Sequence, residues 1–255
     1  MTWHIDYLEE TESTNSWLRS RVEEFSSEDI VVVRSDYQTA GRGCGTNSWE
    51  SERGKNLLLS LLLQPKGVRA ADQFILSMAN ALALRDTLAS LVGGDDVKIK
   101  WPNDIYWKDL KICGTLIETT LQGQYIKDCI IGTGINVNQR KFVSDAPNPV
   151  SLWQILGHEV DCQEVLQMVL DNVVKYLEMV GAGPVPARET AQWEIIRSLY
   201  RCHLYRRDET WPYRFVDGSV KDCKLLNVTD DGHLELLHGE GEVYRLAFKE
   251  VQFII

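Results

Sequence analysis

Two hydrophobic periods alternate along this chain, one of about two residues and one of about 3.6. Trp3 to Leu8 alternates apolar and polar, which predicts a first strand. Ser13 or Thr14 then offers a cap to a helix whose apolar positions Leu18, Val22 and Phe25 recur at helical spacing. Ile30 to Arg34 is a short β-branched strand, and Leu57 to Leu63 is a continuously apolar one, so the segment between them is held at both ends. Ala70 to Leu91, with Phe74, Ile75, Met78, Leu82 and Leu88 along one side, predicts a long helix covering a sheet and ending at Gly93-Gly94-Asp95-Asp96.

Val97 to Trp101 reads as a strand stopped by Pro102, since proline cannot donate to a ladder. Asn103-Asp104 should then project from a strand end. Ile105 to Trp107 and Ile112 to Glu118 form a hairpin whose turn, Lys108 to Lys111, puts Lys111 at its mouth. Tyr125 to Ile131 is a further strand, ending in Gly132-Thr133-Gly134-Ile135-Asn136. After a linker around Pro147 and Pro149, helices are expected at Ser151–Leu156, Gln163–Val180 and Arg188–Tyr200. From His203 to Ile255 the segments are short and alternating, with turns at Asp217-Gly218, Asp230 to Gly232 and Gly239 to Gly241. That is the spacing of a small β-barrel.

Composition narrows this picture. At 255 residues and 44% hydrophobic, the chain supports one sizeable core plus a smaller unit, read as a domain over 1–200 and a second over 201–255. A formal charge of −10 argues against a nucleic-acid partner held by backbone charge, so any anion site must be local. Six cysteines without a Cys-x-x-Cys pair read as reduced thiols rather than a zinc site or disulfide frame. The first residues lack a basic stretch followed by an apolar one, and Leu57 to Leu63 is too short to span a bilayer. The expectation is a soluble, cytoplasmic protein with no membrane partner.

Candidate chemistry gathers in the stretch Gln38 to Trp49. Gly41, Gly43 and Gly45 keep side chains away, so backbone N–H groups can turn inward around an anion, with Arg42 among them as a fixed donor fork. A solvated loop with an arginine at its tip explains the same residues. The spacing matches neither the P-loop nor the dinucleotide fingerprint, which makes a dinucleotide oxidoreductase remote. Lys111 is a solvated turn residue unless an anion lies nearby. Asn136 either reads a purine edge or holds its own turn.

Ser13-Thr14-Asn15, the Gln38 to Trp49 loop, Lys100-Trp101-Pro102-Asn103-Asp104, Lys111-x-x-Gly114 and Gly132-x-Gly134-Ile135-Asn136 occur in the order seen in biotin protein ligases, which the chain resembles. The similarity covers the catalytic core, from near residue 3 to near 180, and a smaller C-terminal part. It resembles the form without an N-terminal DNA-binding domain. The resemblance implies an α+β fold in which a mixed sheet is covered by helices, like that of class II aminoacyl-tRNA synthetases, with an SH3-like C-terminal barrel. It implies ATP, Mg2+ and biotin as reactants and a biotin carboxyl carrier domain as partner, and leaves a homodimer open. Ser13, Thr14, Gln38, Gly41 and Gly114 fall at biotin. Arg42 and Lys111 fall at its carboxylate and the phosphate, Trp49, Asn103 and Asn136 at ATP, and Asp104 near the incoming amine. The magnesium ligands stay open, with Glu118 within reach. Arg53 or Lys55 is expected to make up for the neutral Cys44-Gly45-Thr46-Asn47 segment. A lipoate ligase of the same superfamily and a non-catalytic biotin or nucleotide sensor are the alternatives.

Overall fold

The computed structural model describes residues 2–26, 29–144, 146–181 and 191–255. Seven strands form one mixed sheet: β1 (Thr2–Leu8), β2 (Asp29–Ser35), β3 (Leu57–Leu63), β4 (Val97–Lys100), β5 (Asp104–Trp107), β6 (Leu110–Gln122) and β7 (Tyr125–Ile135). Their order is β1-β2-β3-β7-β6-β5-β4. Only β1 and β2 pair in parallel; the other ladders in this sheet are antiparallel.

β3 is buried along its whole length because both faces of the sheet are covered there. On one face lie α2 (Phe74–Val92), α4 (Cys162–Val180) and α5 (Ala191–Cys202), whose apolar residues merge with the odd-numbered leucines of β3 in the main core. The other face carries a small cluster of Leu18, Val31, Val33, Leu62 and Ile130 under α1 (Thr14–Arg19).

Several elements differ from the periodicity reading. α1 stops at Arg19, and Val22 falls in a separate 3-10 turn, so the two do not share one helix. Ser13 sits at the N-cap without a side-chain cap bond. α2 is apolar around most of its circumference, not along one side, because sheet, α4 and α5 enclose it. Among the described residues, Ala70–Val92 is the one helical stretch long and apolar enough to cross a membrane, and 72% of its apolar window is buried inside the protein. β7 continues through Gly132 and Gly134, which lie inside the strand and not at its end. α3 (Leu152–Leu156) starts from a Ser151 and Gln154 capping box. The expected helix from Arg188 begins outside the described residues, and its visible part is α5.

The C-terminal residues build a second sheet from β8 (Thr210–Phe215), β9 (Val220–Val228), β10 (Leu234–His238), β11 (Glu242–Leu246) and β12 (Val251–Phe253), in the order β11-β10-β9-β8-β12. It is an open antiparallel meander with β12 returned onto β8. Its turns use Gly218, Gly232 and Gly239 at positive φ, as the sequence predicts.

Candidate active site

The site face can be read from strand register, because side chains alternate across a sheet. Ser60 on β3 pairs with Gly132 on β7, and Gly132 pairs with Leu116 on β6. One step along, Leu58 pairs with Gly134 and Gly134 with Gly114. Serine and three glycines therefore floor a trough on the face opposite the main core. Each glycine is needed for close approach. A Cβ on Gly114 would lie 2.7 Å from the Trp49 ring and 3.1 Å from Lys111 Cε. One on Gly134 would enter the Trp49 indole, and one on Gly132 would strike Asn15 Oδ1.

Lys111 reaches this face through a bulge. Tyr106 pairs with Lys111 but Ile105 with Cys113, so Ile112 is the extra residue. In a regular ladder, Lys111 and Cys113, two residues apart, would share a face, and the lysine would point into the core. Asp104, one residue before Ile105, lies on the same face, and Lys111 Nζ donates to Asp104 Oδ2 at 2.7 Å. The same ammonium sits 5.8 Å from the Trp49 ring centre. The turn before Asp104 is fixed from outside: Tyr200 Oη donates to Pro102 O at 2.6 Å and Trp101 Nε1 to Gly232 O at 2.9 Å. Asn103 projects half-exposed from that turn. Lys100 is half-buried over the rings of Tyr106 and Phe253, at 5.3 and 4.8 Å, and burial lowers its pKa.

At the trough's other end, Glu118 gathers three partners. Arg42 Nη2 lies 3.2 Å and Arg19 Nη2 3.3 Å from its carboxylate oxygens, while Asn15 Nδ2 donates to it at 2.8 Å. Asn15 Oδ1 in turn accepts from Ser60 Oγ at 2.6 Å, and that hydroxyl also lies 2.7 Å from Thr14 Oγ1. Gln38 Oε1 accepts from Thr14 N at 2.8 Å and Thr14 Oγ1 at 3.0 Å. The Ser13 hydroxyl is buried beside this network without using its capping capacity. Ser60 and Arg19 join the set by geometry alone, whereas Asn15 stands in the Ser13-Thr14-Asn15 motif and Glu118 is the carboxylate expected near magnesium. Ser60 inside the leucine run was the one sequence signal for its part of the set: a lone hydroxyl on an otherwise apolar strand.

The glycine loop takes a shape other than the expected anion nest. Gly43 N–H donates to Asn47 O at 2.7 Å and Trp49 N–H to Gly41 O at 2.9 Å, so the loop closes as a small hairpin across Arg42 and Ser48. A Cβ on Gly41 would lie 2.7 Å from Trp49 O, and the hairpin requires glycine there. Trp49 is thereby laid over Gly114 and Gly134, with its Nε1 buried and unpartnered. Asn136 is a clamp as well as a candidate reader: Nδ2 donates to Val150 O at 3.1 Å, while Oδ1 is buried with no partner. Arg53 and Lys55 do not extend the loop's charge. Arg53 pairs with Glu10 and stacks on Tyr37, and Lys55 pairs with Glu159 at 3.3 Å.

No group of three or more His, Cys, Asp or Glu residues is arranged to hold a metal among the described residues. Both carboxylates nearest the trough are engaged by cations. The six cysteines are free thiols, and burial pushes Cys129 up to about 12.

A mixed sheet covered by helices, with glycines, cationic side chains and an aromatic ring gathered on its other face, defines an α+β protein with a candidate site for an anionic ligand. The profile of the biotin/lipoate A/B protein ligase family matches residues 7–136, and the chain belongs to that family. It is 33% identical over 248 residues to the bifunctional ligase/repressor BirA of Bacillus subtilis (strain 168), covering 94% of this chain and 71% of that one. With BirA of Escherichia coli (strain K12) it is 36% identical over 189 residues, which cover 72% of this chain and 56% of the relative's length. The fold is similar to that of the biotin protein ligase from Aquifex aeolicus solved with biotin and ATP. There the TM-score is 0.77 at 24% identity, over 98% of this chain and 99% of that one.

Proposed function

We propose that this chain is a biotin protein ligase. A carboxylate oxygen of biotin attacks the α-phosphorus of MgATP, the bond to pyrophosphate breaks, and biotinyl-adenylate forms. A lysine amine of a biotin carboxyl carrier domain then attacks the acyl carbon and AMP leaves. The observation that carries this reading is the bulge that turns Lys111 onto the glycine trough beside Asp104 and Trp49. The names of the relatives support the same chemistry.

In this reading biotin's fused rings lie in the trough beside the Trp49 indole and Asn15 side chain, and Ser13, Thr14 and Gln38 meet the ureido group. Gly41 and Gly114 contribute backbone. Arg42 and Lys111 draw two anions within reacting distance and stabilise the charge that concentrates on the phosphorus. The unpartnered Asn136 Oδ1 and the ring of Trp49 meet adenine, with Asn103 at its margin. Asp104, already oriented by Lys111, holds the incoming amine and takes its proton. Magnesium would enter with ATP and neutralise charge on its phosphates, with Glu118 the carboxylate within reach once it parts from Arg42. We further read residues 1–200 as the catalytic domain and 201–255 as an SH3-like one. Since α5 runs to Cys202, that boundary falls in its last turn.

The test is ATP–pyrophosphate exchange with biotin and, separately, with lipoate, followed by mass measurement of a carrier domain. Exchange with biotin and a biotinyl mass increase are expected. Exchange with lipoate alone would favour the other branch of the family, and binding without exchange would favour a sensor. Lys111→Ala should slow biotin adenylation on the order of 10²-fold or more, and unchanged exchange would remove that residue from the mechanism.

A further inference from the structure

The glycine hairpin holds one basic residue, Arg42, and Glu118 already engages it. Residues 43–48 are neutral. A second cation arrives from the opposite end of the chain. The turn between β11 and β12 brings Lys249 against Gly45, so that a methyl group added to Gly45 would coincide with the Lys249 ammonium and lie 3.3 Å from Lys249 Cε.

The turn is built to hold that position. Glu250 N–H donates to Ala247 O at 3.1 Å, and Glu250 Oε2 accepts from Ala247 N–H at 2.7 Å. Phe248 packs edge-on against Trp101 with centroids 5.9 Å apart, tying the turn to the strand end that leads to Asp104. Lys249 has φ 74°, a left-handed conformation that favours glycine, yet the position carries a long cation. No carboxylate pairs with its ammonium among the described residues. Gly45, at φ 71°, has no side chain to keep it away.

We propose that Lys249 is a nucleotide-binding residue, supplying from the second sheet the positive charge that the glycine loop lacks and closing that loop over the phosphate of ATP and of the adenylate. This rests on the adenylation reading above. The chemistry recognised is the α-phosphate of a nucleotide, a monoanion in ATP and in the acyl adenylate alike, next to a neutral hairpin that has no side chain at Gly45. An ammonium on a flexible stem suits it, because it follows the phosphate as pyrophosphate departs.

The full-length chain tests this with Lys249→Gly and Lys249→Arg. Glycine removes the charge while relieving the left-handed backbone, so the variant should melt at or above the wild-type temperature. The expected result for Lys249→Gly is a KM for ATP raised about tenfold in biotin-dependent pyrophosphate exchange, and a similarly faster release of preformed adenylate. Affinity for biotin alone should be unchanged, and arginine should restore most of the loss. The KM of the wild type should rise more steeply with salt than that of the glycine variant. An unchanged KM for ATP and unchanged adenylate release in Lys249→Gly would overturn the proposal. Absence of biotin-dependent exchange in the wild type would overturn the adenylation reading instead.

Discussion

Glu118 shows how one residue sets the resting state of the site. Its carboxylate balances Arg42 and Arg19, two cations that would otherwise face a trough floored by neutral groups. Both arginine side chains are 44% exposed, so these pairs contribute little stability and can exchange partners readily. Gly134 has the opposite character, since its role depends on having no atoms at all. Gly134→Ala places a methyl group inside the Trp49 indole, and the ring must lift. The expected outcome is a shifted tryptophan emission and a loss in biotin affinity corresponding to about 1–3 kcal/mol, the usual scale of overpacking. Calorimetric titration with biotin measures it, and wild-type affinity would mean that the ligand does not depend on the position of the Trp49 ring over these glycines.

At the scale of elements, the bulge in β6 and the anchoring of the segment after Trp49 do most to shape the site. Glu50 follows Trp49 directly, and its carboxylate accepts from Val143 N–H at 2.9 Å, Ser144 N–H at 2.8 Å and Gln139 Nε2 at 3.0 Å. Burial alone would raise its pKa, but these bonds together outweigh burial and hold it below the ordinary glutamate value. The sign of the consequence follows. Between the folded and unfolded pKa values the unfolded chain binds more protons, so the stability Glu50 contributes is present above the unfolded value. It is lost as pH falls through the folded one. Urea denaturation from pH 7 down to about pH 3 should therefore show an acid-side loss that Glu50→Gln diminishes. Identical acid limbs in the two proteins would contradict this.

Across the whole molecule, the two sheets are fastened together at the same strand end that carries Asp104. The edge of β4 is covered by the chain entering the second sheet, with Ile99 N–H donating to His203 O at 2.8 Å and Tyr205 N–H to Ile99 O at 2.9 Å. This pairing removes an exposed edge that would invite association with other strands. Arg206 Nη1 donates to Ile254 O at 2.8 Å, and Trp101 Nε1 donates to Gly232 O. The second sheet therefore buttresses the turn at Pro102 directly. Trp101→Phe keeps the ring against Phe248 and deletes the hydrogen bond, leaving Gly232 O without that donor. The expected cost is about 1 kcal/mol in chemical denaturation, with a higher KM for the carrier domain than for biotin relative to wild type. A variant as stable as wild type, with both constants unchanged, would show that the two sheets are not coupled through this residue.

The order of elements, the buried β3 and the motifs that resemble those of biotin protein ligases were legible in the chain, because hydrophobic period, turn glycines and short motifs are local properties; the helix-covered mixed sheet followed only from that resemblance. The trough was not. Its floor depends on Ser60, Gly132, Gly134 and Gly114 falling into register across three strands, and the turning of Lys111 depends on one extra residue in β6. Nor could spacing show that Gly43 spends its N–H inside a hairpin, that Glu118 holds Arg42, or that Lys249 meets Gly45 from two hundred positions away. Local sequence sets which residues are available to a strand, a turn or a loop. Which of them meet is decided by ladder register and by the packing of distant segments, and those exist only once the chain has folded.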